Sequence, residues 1–250
     1  MGGEKKLVSV IIPAFNEEET IAEVVKVCLR TPEVGEVIVI NDGSTDKTEE
    51  ELRNFKDKIK VIGLSQNQGK GYAVAQGVKS ARYDYLLFLD ADLINLQPHY
   101  LASLFWPVLA DQADMTIAVS VSFYSPYYRS WPLSGQRCLK RNSFNSRIIK
   151  KMEKTGYGLE VFLNELMKKK RVAVIPWVSD KPLHLKKISK QQNWVKNYTR
   201  ETFEVFRQTI ASQRGSYQEK MKTSFLHGLA AYLKVSYERL KSYLLEDFKE

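Results

Sequence analysis

The sequence has only two cysteines, Cys28 and Cys138, and they lie far apart with no CxxC pair and no neighbouring histidine. A disulfide framework needs several cysteines and a zinc site needs clustered ligands, so this scarcity excludes both classes. Unpaired cysteines are typical of a reducing compartment, and we therefore expect a cytoplasmic protein.

Long hydrophobic runs are also lacking. No apolar run reaches the ~18 residues that a membrane-spanning helix needs, and MGGEKK at residues 1–6 leads into no signal-peptide core. Lipidation is not expected, because position 6 lacks the Ser or Thr of the myristoylation pattern. The 250 residues, 44% hydrophobic and 27% charged, suffice for one large globular domain with or without an appendage.

The charge is distributed unevenly. Residues 1–150 hold 18 basic and 18 acidic side chains, whereas residues 151–250 hold 20 and 11, so the whole net charge of +9 falls in the second segment. One interpretation is an anionic partner there, such as a phosphate, a lipid headgroup or a nucleic acid. The other is a solvated helical surface.

Strand-like and helical stretches alternate in the first half. Strands are predicted at 7–15, 35–43, 58–64 and 83–89. Helices are predicted at 17–31 and 46–57, and residues 67–82 hold a glycine-rich loop followed by a helix. This order predicts βαβ units, and hence an α/β fold with a Rossmann-like, mostly parallel sheet flanked by helices. Asn16 is expected to cap the first helix, and Ser44 or Thr45 the second.

The pattern is weaker after residue 96. It predicts a helix at 98–110 broken by Pro107, a strand at 115–123, and a loop at 125–144 that leads to a basic segment. A helix at 156–170 and a strand at 171–178 follow. We expect a catalytic domain at 1–189 and a basic, helical C-terminal extension at 190–250.

Two carboxylates, Asp90 and Asp92, directly follow the apolar strand YDYLLFL. Like charges this close favour a neutralising cation, and Mg²⁺ takes one or two carboxylates together with phosphate oxygens. The carboxyl ends of parallel strands form the ligand-binding edge of such a sheet. The pair therefore predicts a Mg²⁺ or Mn²⁺ ion that holds a diphosphate, against the alternative of a helix cap and a surface acid.

Basic side chains near this edge are candidates for phosphate binding. Lys70 stands between Gly69 and Gly71, whose lack of bulk permits close approach to a phosphate. Arg137, Lys140 and Arg141 form a basic cluster in the sequence, which could grip a phosphate of donor or acceptor. The alternatives are a helix start for Lys70 and a solvated helix face for the cluster.

Four stretches carry a resemblance to a known family: VSVIIPAFNEEETIAEVV, EVIVINDGSTDKT, NQGKGYAVAQGVKSA and YLLFLDADL. In this order over residues 7–96, they resemble the nucleotide-sugar half of family 2 glycosyltransferases with the A-type fold. LSGQRCLKR and GYGLEVFLNEL are similar to bacterial polyprenyl-phosphate glycosyl synthases and, more distantly, to glucosyl-3-phosphoglycerate synthases. No match extends beyond about residue 190.

The resemblance implies an enzyme, a metal-dependent hexosyltransferase that uses a UDP-sugar. It implies that Asp92 meets the metal with a catalytic role and that Glu160 is a catalytic carboxylate on the acceptor side. It also implies that His184, with Asp180 as a rival, completes the metal site. Surface roles for Glu160 and His184 are the alternatives. Residues implied to hold the nucleotide sugar are Pro13, Ala14, Phe15, Glu17, Asp42, Lys70, Asp90, Ala91 and Arg137.

Inversion by direct displacement is the stereochemistry that the resemblance implies. The acceptor stays open between a polyprenyl phosphate, a small metabolite such as 3-phosphoglycerate, and a growing glycan. The phosphoglycerate option resembles retaining enzymes. Two other classes are alternatives. One is a nucleotidyltransferase, which is disfavoured because PAFNEEET is acidic and lacks glycine, and the other is a non-enzymatic module that binds an anionic surface.

The segment from about 190 onward mixes aromatic and basic residues. A basic aromatic helix can lie on an anionic membrane, which would make the protein peripheral at the inner face of the membrane. Helix packing, including a homodimer through these helices, is the favoured interpretation. No nucleic-acid partner is expected.

Overall fold

The computed structural model describes residues 7–120 and 133–177. Its strands are Val8–Ala14 (β1), Val34–Asn41 (β2), Lys60–Gly63 (β3), Tyr85–Phe88 (β4), Met115–Ser120 (β5), Arg137–Lys140 (β6) and Val172–Trp177 (β7). Its helices are Ile21–Leu29 (α1), Thr48–Arg53 (α2), Lys70–Ser80 (α3), Pro98–Leu109 (α4), Ser146–Met152 (α5) and Leu159–Met167 (α6). The expected boundary at 189/190 and the extension at 190–250 lie outside these residues.

The seven strands form one sheet in the order β3-β2-β1-β4-β6-β5-β7. β1 pairs in parallel with β2 and β4, β2 with β3, and β5 with β7. Only β6 is antiparallel to its neighbours among these strands. The predicted α/β class with a mostly parallel sheet is confirmed.

Side chains alternate between the two faces of the sheet, as the period of a strand requires. In β1, Val10 and Ile12 belong to a core that also contains α1 and α4, whereas Ile11 belongs to a second core with α3 and α6. Helices therefore cover both faces. Strands buried on both sides read as continuous apolar runs, which explains the composition of LVSVIIP.

The predicted helix caps are wrong. α1 begins at Ile21, where Thr20 occupies the N-cap position, and α2 begins at Thr48 after Lys47. Asn16 instead bonds to the loop after β2, and Ser44 Oγ accepts the N–H of Asn16 at 3.0 Å. Their polar side chains form hydrogen bonds between the two loops, because the parallel pairing of β1 and β2 brings these loops side by side.

Pro107 does not break α4, which continues through it to Leu109. A proline in a helix interior costs about 3 kcal/mol. Val108 and Leu109, which follow it, are both buried, and burying each contributes about 1.5–3 kcal/mol. Core packing therefore outweighs the missing hydrogen bond.

The loop predicted at 125–144 contains a strand. β6 lies in the interior of the sheet, between β4 and β5, although it has only four residues and two of them are basic. α5 was not predicted either, and its N-cap Asn145 accepts the N–H of Ile148 at 2.9 Å. The expected helix at 156–170 is a 3₁₀ turn at Gly156–Gly158 followed by α6.

Candidate active site

The loops after β1 and β2 are bound to each other at the carboxyl edge of the sheet. Asn16, with a φ of 56°, accepts the N–H of Thr45 at 2.8 Å, and the N–H of Glu17 donates to Thr48 Oγ1 at 2.8 Å. Glu17 is buried, whereas Phe15 is 37% exposed. These bonds fix the predicted nucleotide-binding segment and leave the Phe15 ring at the surface.

Asp42, which follows β2, organises the glycine-rich loop before α3. Its carboxylate accepts the N–H of Gln68 at 2.7 Å and that of Gly69 at 2.9 Å. Burial raises the pKa of Asp42, and these two hydrogen bonds oppose that rise. In this structure Asp42 binds the backbone of its own chain and so places Lys70. Its contact with a nucleotide stays a prediction.

Lys70 joins two carboxylates from distant parts of the sequence. Its Nζ lies 2.7 Å from Asp90 Oδ1 and 2.6 Å from Glu160 Oε1. Burial disfavours the charged ammonium, but the charges and hydrogen bonds of Asp90 and Glu160 outweigh it and raise the pKa of Lys70 above its ordinary value. The predicted donor-side and acceptor-side acids are therefore brought together by one cation.

A short loop before β6 packs against this ion-pair network. Gln136 Nε2 donates to Asp90 Oδ2 at 2.7 Å, so both carboxylate oxygens of Asp90 are engaged by the chain. A Cβ on Gly135 would lie under 3.0 Å from both of those oxygens and from Lys70 Nζ. Only glycine fits between them without displacing the network.

Arg137 is fully buried directly after this loop. Its Nε donates to the carbonyl of Ser134 and its Nη1 to Asn164 Oδ1, both at 2.7 Å. Burial lowers the pKa of Arg137 to about 10, while the charges of Glu160 and Asp90 oppose that change. The guanidinium is therefore directed at groups of its own chain.

The predicted basic cluster of Arg137, Lys140 and Arg141 does not form a shared phosphate grip. Lys140 Nζ pairs with Asp111 at 2.6 Å, and Arg141 Nη1 donates to the carbonyl of Arg82 at 3.3 Å. Arg137 and Lys140 are three residues apart in β6 and therefore face opposite sides of the sheet, and Arg141 lies beyond the strand in the 3₁₀ turn at Arg141–Ser143.

The network lies in a small cleft between the sheet and α6. Predicted site residues in its wall are Pro13, Lys70, Asp90, Arg137 and Glu160. Glu160 is on the first turn of α6 and is only 8% exposed, so the alternative of a surface acid is wrong. The sequence analysis missed Gly135, Gln136 and Asn164. A strand assigned to residues 137–140 would have pointed to Gly135 and Gln136 in the loop before it, whereas no local signal marks Asn164.

Comparison with known proteins gives the context of this geometry. The model of glycosyl transferase family 2 matches residues 9–171, a span that runs from β1 to the residue before β7 and includes the whole cleft. The chain belongs to glycosyl transferase family 2.

Among curated proteins, this family 2 chain is similar to poly-beta-1,6-N-acetyl-D-glucosamine synthases. It is 39% identical to the Staphylococcus aureus (strain COL) protein over 99 residues, which are 38% of this chain and 24% of that protein. It is 38% identical to the Staphylococcus epidermidis (strain RP62A) protein over 91 residues, 35% of this chain and 22% of that one. The matched parts thus span about a quarter of these relatives.

Among solved structures, glucosyl-3-phosphoglycerate synthase from Mycobacterium tuberculosis has the same fold. Its complex with Mn²⁺, UDP-glucose and phosphoglyceric acid matches with a TM-score of 0.64 and 22% identity, covering 83% of this chain and 79% of that one. Its complex with Mn²⁺, UDP and glucosyl-3-phosphoglycerate matches with a TM-score of 0.63 at the same identity. The A-type fold expected for the family is confirmed.

The donor atoms at the end of β4 fit a hard divalent ion. Asp92 is half-buried in the turn after the strand, and one or two carboxylates with phosphate oxygens suffice for Mg²⁺. Within residues 7–120 and 133–177, no three acidic, histidine or cysteine side chains gather as a metal cluster. His184 and Asp180 lie outside the described residues, so their roles stay predictions.

No helix in the part of the chain that the structure describes is long and apolar enough to cross a membrane.

Proposed function

We propose that this chain transfers a hexose from a UDP-sugar to an acceptor that bears a phosphate or a hydroxyl, with a divalent metal ion held by Asp92. The observation that carries this proposal is the ion-pair network of Lys70, Asp90 and Glu160 at the carboxyl edge of the sheet. Support comes also from relatives named as sugar synthases and from a shared fold whose solved complexes contain Mn²⁺ and UDP-glucose.

On the donor side, β1, β2 and β4 deliver their carboxyl ends to one edge, and the bonded loops at Asn16 and Asp42 hold that edge in shape. Phe15 is exposed there and can contact the base. Lys70 supplies a fixed positive charge next to the diphosphate position. A bound Mg²⁺ or Mn²⁺ ion would neutralise charge on the departing nucleoside diphosphate.

On the acceptor side, Glu160 is the candidate base. In a direct displacement, the acceptor oxygen bonds to the anomeric carbon while the bond to the diphosphate oxygen breaks, and its electron pair leaves with UDP. An alcohol acceptor would give its proton to the Glu160 carboxylate, which must lie within hydrogen-bond reach. A phosphate acceptor is already anionic and needs no such transfer.

A second candidate is a retaining transfer to a small soluble acceptor such as 3-phosphoglycerate. It is favoured by the solved structures of the same fold, whose ligands include phosphoglyceric acid. The anomeric configuration of the product, read from proton NMR coupling constants, separates the two candidates. Polyprenyl phosphate, 3-phosphoglycerate and a glycan oligomer form the acceptor panel.

Calorimetric titration of UDP and GDP, with and without Mn²⁺, tests the donor site. We expect Mn²⁺-dependent binding of UDP, and its loss in Asp92→Ala because the ligand carboxylate is removed. Asp57→Ala is the matched control, since Asp57 is an exposed acid in the turn after α2. Metal-independent binding, or unchanged binding in Asp92→Ala, would contradict the assignment of Asp92.

A further inference from the structure

Arg137 is a charged side chain in the interior of the sheet. It is fully buried and lies opposite Phe88 of β4 in the antiparallel pairing. A buried charge is costly unless it is paired and hydrogen-bonded. A residue that served only to fill this place in β6 would be apolar, as the neighbouring Cys138 and Leu139 are.

The guanidinium bonds in two directions. Its Nε donates to the carbonyl of Ser134, three residues earlier, and its Nη1 donates to Asn164 Oδ1, both at 2.7 Å. The first bond folds back onto the loop before β6. The second reaches α6, the helix that carries Glu160.

Each of these partners leads to one side of the cleft. The loop held through Ser134 contains Gly135 and Gln136, which pack against and hydrogen-bond to Asp90. Asn164 lies one turn after Glu160 on α6, since residues four apart share a helix face. The Lys70 ammonium forms ion pairs with both Asp90 and Glu160 and so bridges the two carboxylates. Arg137 therefore supports both ends of this Lys70 bridge.

We propose that Arg137 is a positioning residue that fixes the carboxylate of Glu160 relative to that of Asp90, by tying α6 to the loop that lies against Lys70. Its catalytic consequence rests on the function proposed above. Its structural consequence, the integrity of the Lys70 bridge, does not. With Lys70, Arg137 also balances the charges of the two carboxylates.

The shape of the side chain is essential to this role. A guanidinium is a planar fork that donates in two fixed directions, whereas a lysine ammonium is a point charge on a flexible stem. Arg137→Lys keeps the charge but cannot keep both bonds. Asn164→Ala removes the oxygen that accepts the Arg137 bond on α6, so the double variant should lose nothing more at that contact.

The test compares Arg137→Lys, Asn164→Ala, the double variant and Thr116→Val. Thr116→Val is the control for a general loss of core hydrogen bonding, since the buried Thr116 hydroxyl donates to Leu104 O at 2.6 Å. Release of UDP from UDP-glucose and UDP-N-acetylglucosamine is measured with the acceptor panel, well below the melting temperature of each variant. Calorimetry with UDP and Mn²⁺ reports donor binding separately.

We expect kcat to fall roughly 100-fold in Arg137→Lys, because a misplacement of about 1 Å has that effect, while UDP binding stays near the wild-type affinity. Asn164→Ala should reduce kcat by a smaller factor, and the double variant should equal Arg137→Lys, because the residues act as a unit. Two results would overturn the proposal. One is a kcat of Arg137→Lys equal to that of Thr116→Val, and the other is a loss of kcat in the double variant equal to the product of the losses in the two single variants.

A labelling experiment separates this proposal from the proposed function. Lys70 is held by two carboxylates, so we expect slow acylation by an amine-specific reagent, followed by mass spectrometry, and faster acylation in Arg137→Lys. The proposed function fails if the wild-type protein neither binds UDP nor produces UDP from either UDP-sugar. In that case the labelling rates alone decide the role of Arg137. Equal rates in both proteins would overturn it.

Discussion

The two halves of the sheet contribute to the cleft in different ways. In the half formed by β3, β2, β1 and β4, functional side chains lie in the loops after the strands or, for Lys70, at the start of α3. Parallel pairing brings these loops to one edge. In the half formed by β6, β5 and β7, the cleft residues come from the loop before β6 and from α6, and they are held by side-chain bonds. In the first half, parallel pairing sets the positions of the strand ends, and side-chain bonds at Asn16 and Asp42 then join the loops. In the second half, side-chain contacts connect the loop before β6 and α6 to the cleft.

This difference implies different sensitivity to mutation. Strand ends in a parallel sheet are fixed by many backbone hydrogen bonds, so one substitution there changes one ligand. A buried polar network depends on every member being satisfied, and removal of one partner leaves the others uncompensated. The variants below probe the contact between the halves and then the second half alone.

The largest effect is expected for Lys70→Met, because Lys70 joins Asp90 of the first half to Glu160 of the second inside the cleft. The change leaves Asp90 and Glu160 facing each other without their shared cation, and removes the positive charge near the diphosphate. Removal of one such electrostatic group typically costs about 10²–10³ in kcat. Release of UDP measures this loss.

Lys79→Met is the matched control on the same helix. The Lys79 Nζ pairs with Glu153 at 2.5 Å, but this lysine is 47% exposed, and exposed ion pairs contribute only about 0–1 kcal/mol. Equal losses of activity in the two variants would show that helix stability, and not the cleft, is responsible.

A smaller effect is expected for Gly135→Ala, which tests the second half. The added Cβ would overlap the Asp90 carboxylate and the Lys70 ammonium, so one or both must move, and roughly 100-fold lower turnover is expected from such a displacement. The comparison variant is Gly63→Ala at the end of β3, where a Cβ meets no atom within 4 Å. Full activity in Gly135→Ala would mean that the network tolerates displacement.

The smallest effect is expected for Asp114→Asn, which weakens the second half at a distance from the cleft. Hydrogen bonds from Arg171, 3.0 Å away, lower the pKa of Asp114 to about 2. A carboxyl pKa that is lower in the folded state stabilises the fold at pH values above the pKa of the unfolded chain, which is about 4. This contribution disappears as the pH falls from about 4 to about 2.

Urea denaturation of wild type and Asp114→Asn at several pH values measures this contribution. We expect a difference in unfolding free energy of at most about 1 kcal/mol at pH 7, since the pair is at the surface, shrinking below pH 4. Turnover should be unchanged. A difference that grew on acidification would have the wrong sign for this ion pair.

The sequence predicted most of the first half. Alternating apolar runs and helical stretches predict β1 to β4, because strand and helix periods are local properties of a sequence. The segments that follow these strands contain Asp42, Lys70 and Asp90, which were predicted as site residues for that reason. The caps at Asn16 and Ser44 were wrong, since those side chains bond to a loop distant in the sequence.

The second half was predicted less well for the same reason. RCLK is short and half basic, and nothing local shows that Arg137 will be buried against Asn164. The resemblance to the family directed attention to Glu160, but the contact between Lys70 and Glu160 joins residues that are 90 positions apart in the sequence. Such contacts depend on the sheet order, which the local pattern does not contain.

The position of β6 has a further consequence, for folding. Among the described strands, only β6 joins β4 to β5 in the sheet. β6 is antiparallel to β5, the strand before it in the sequence, whereas its pairing with β4 is between strands that are further apart along the chain. Since contacts between distant segments carry the larger loop-closure cost, and since the pairing with β4 places Arg137 opposite Phe88, we expect the cleft to form only when the two halves of the sheet join.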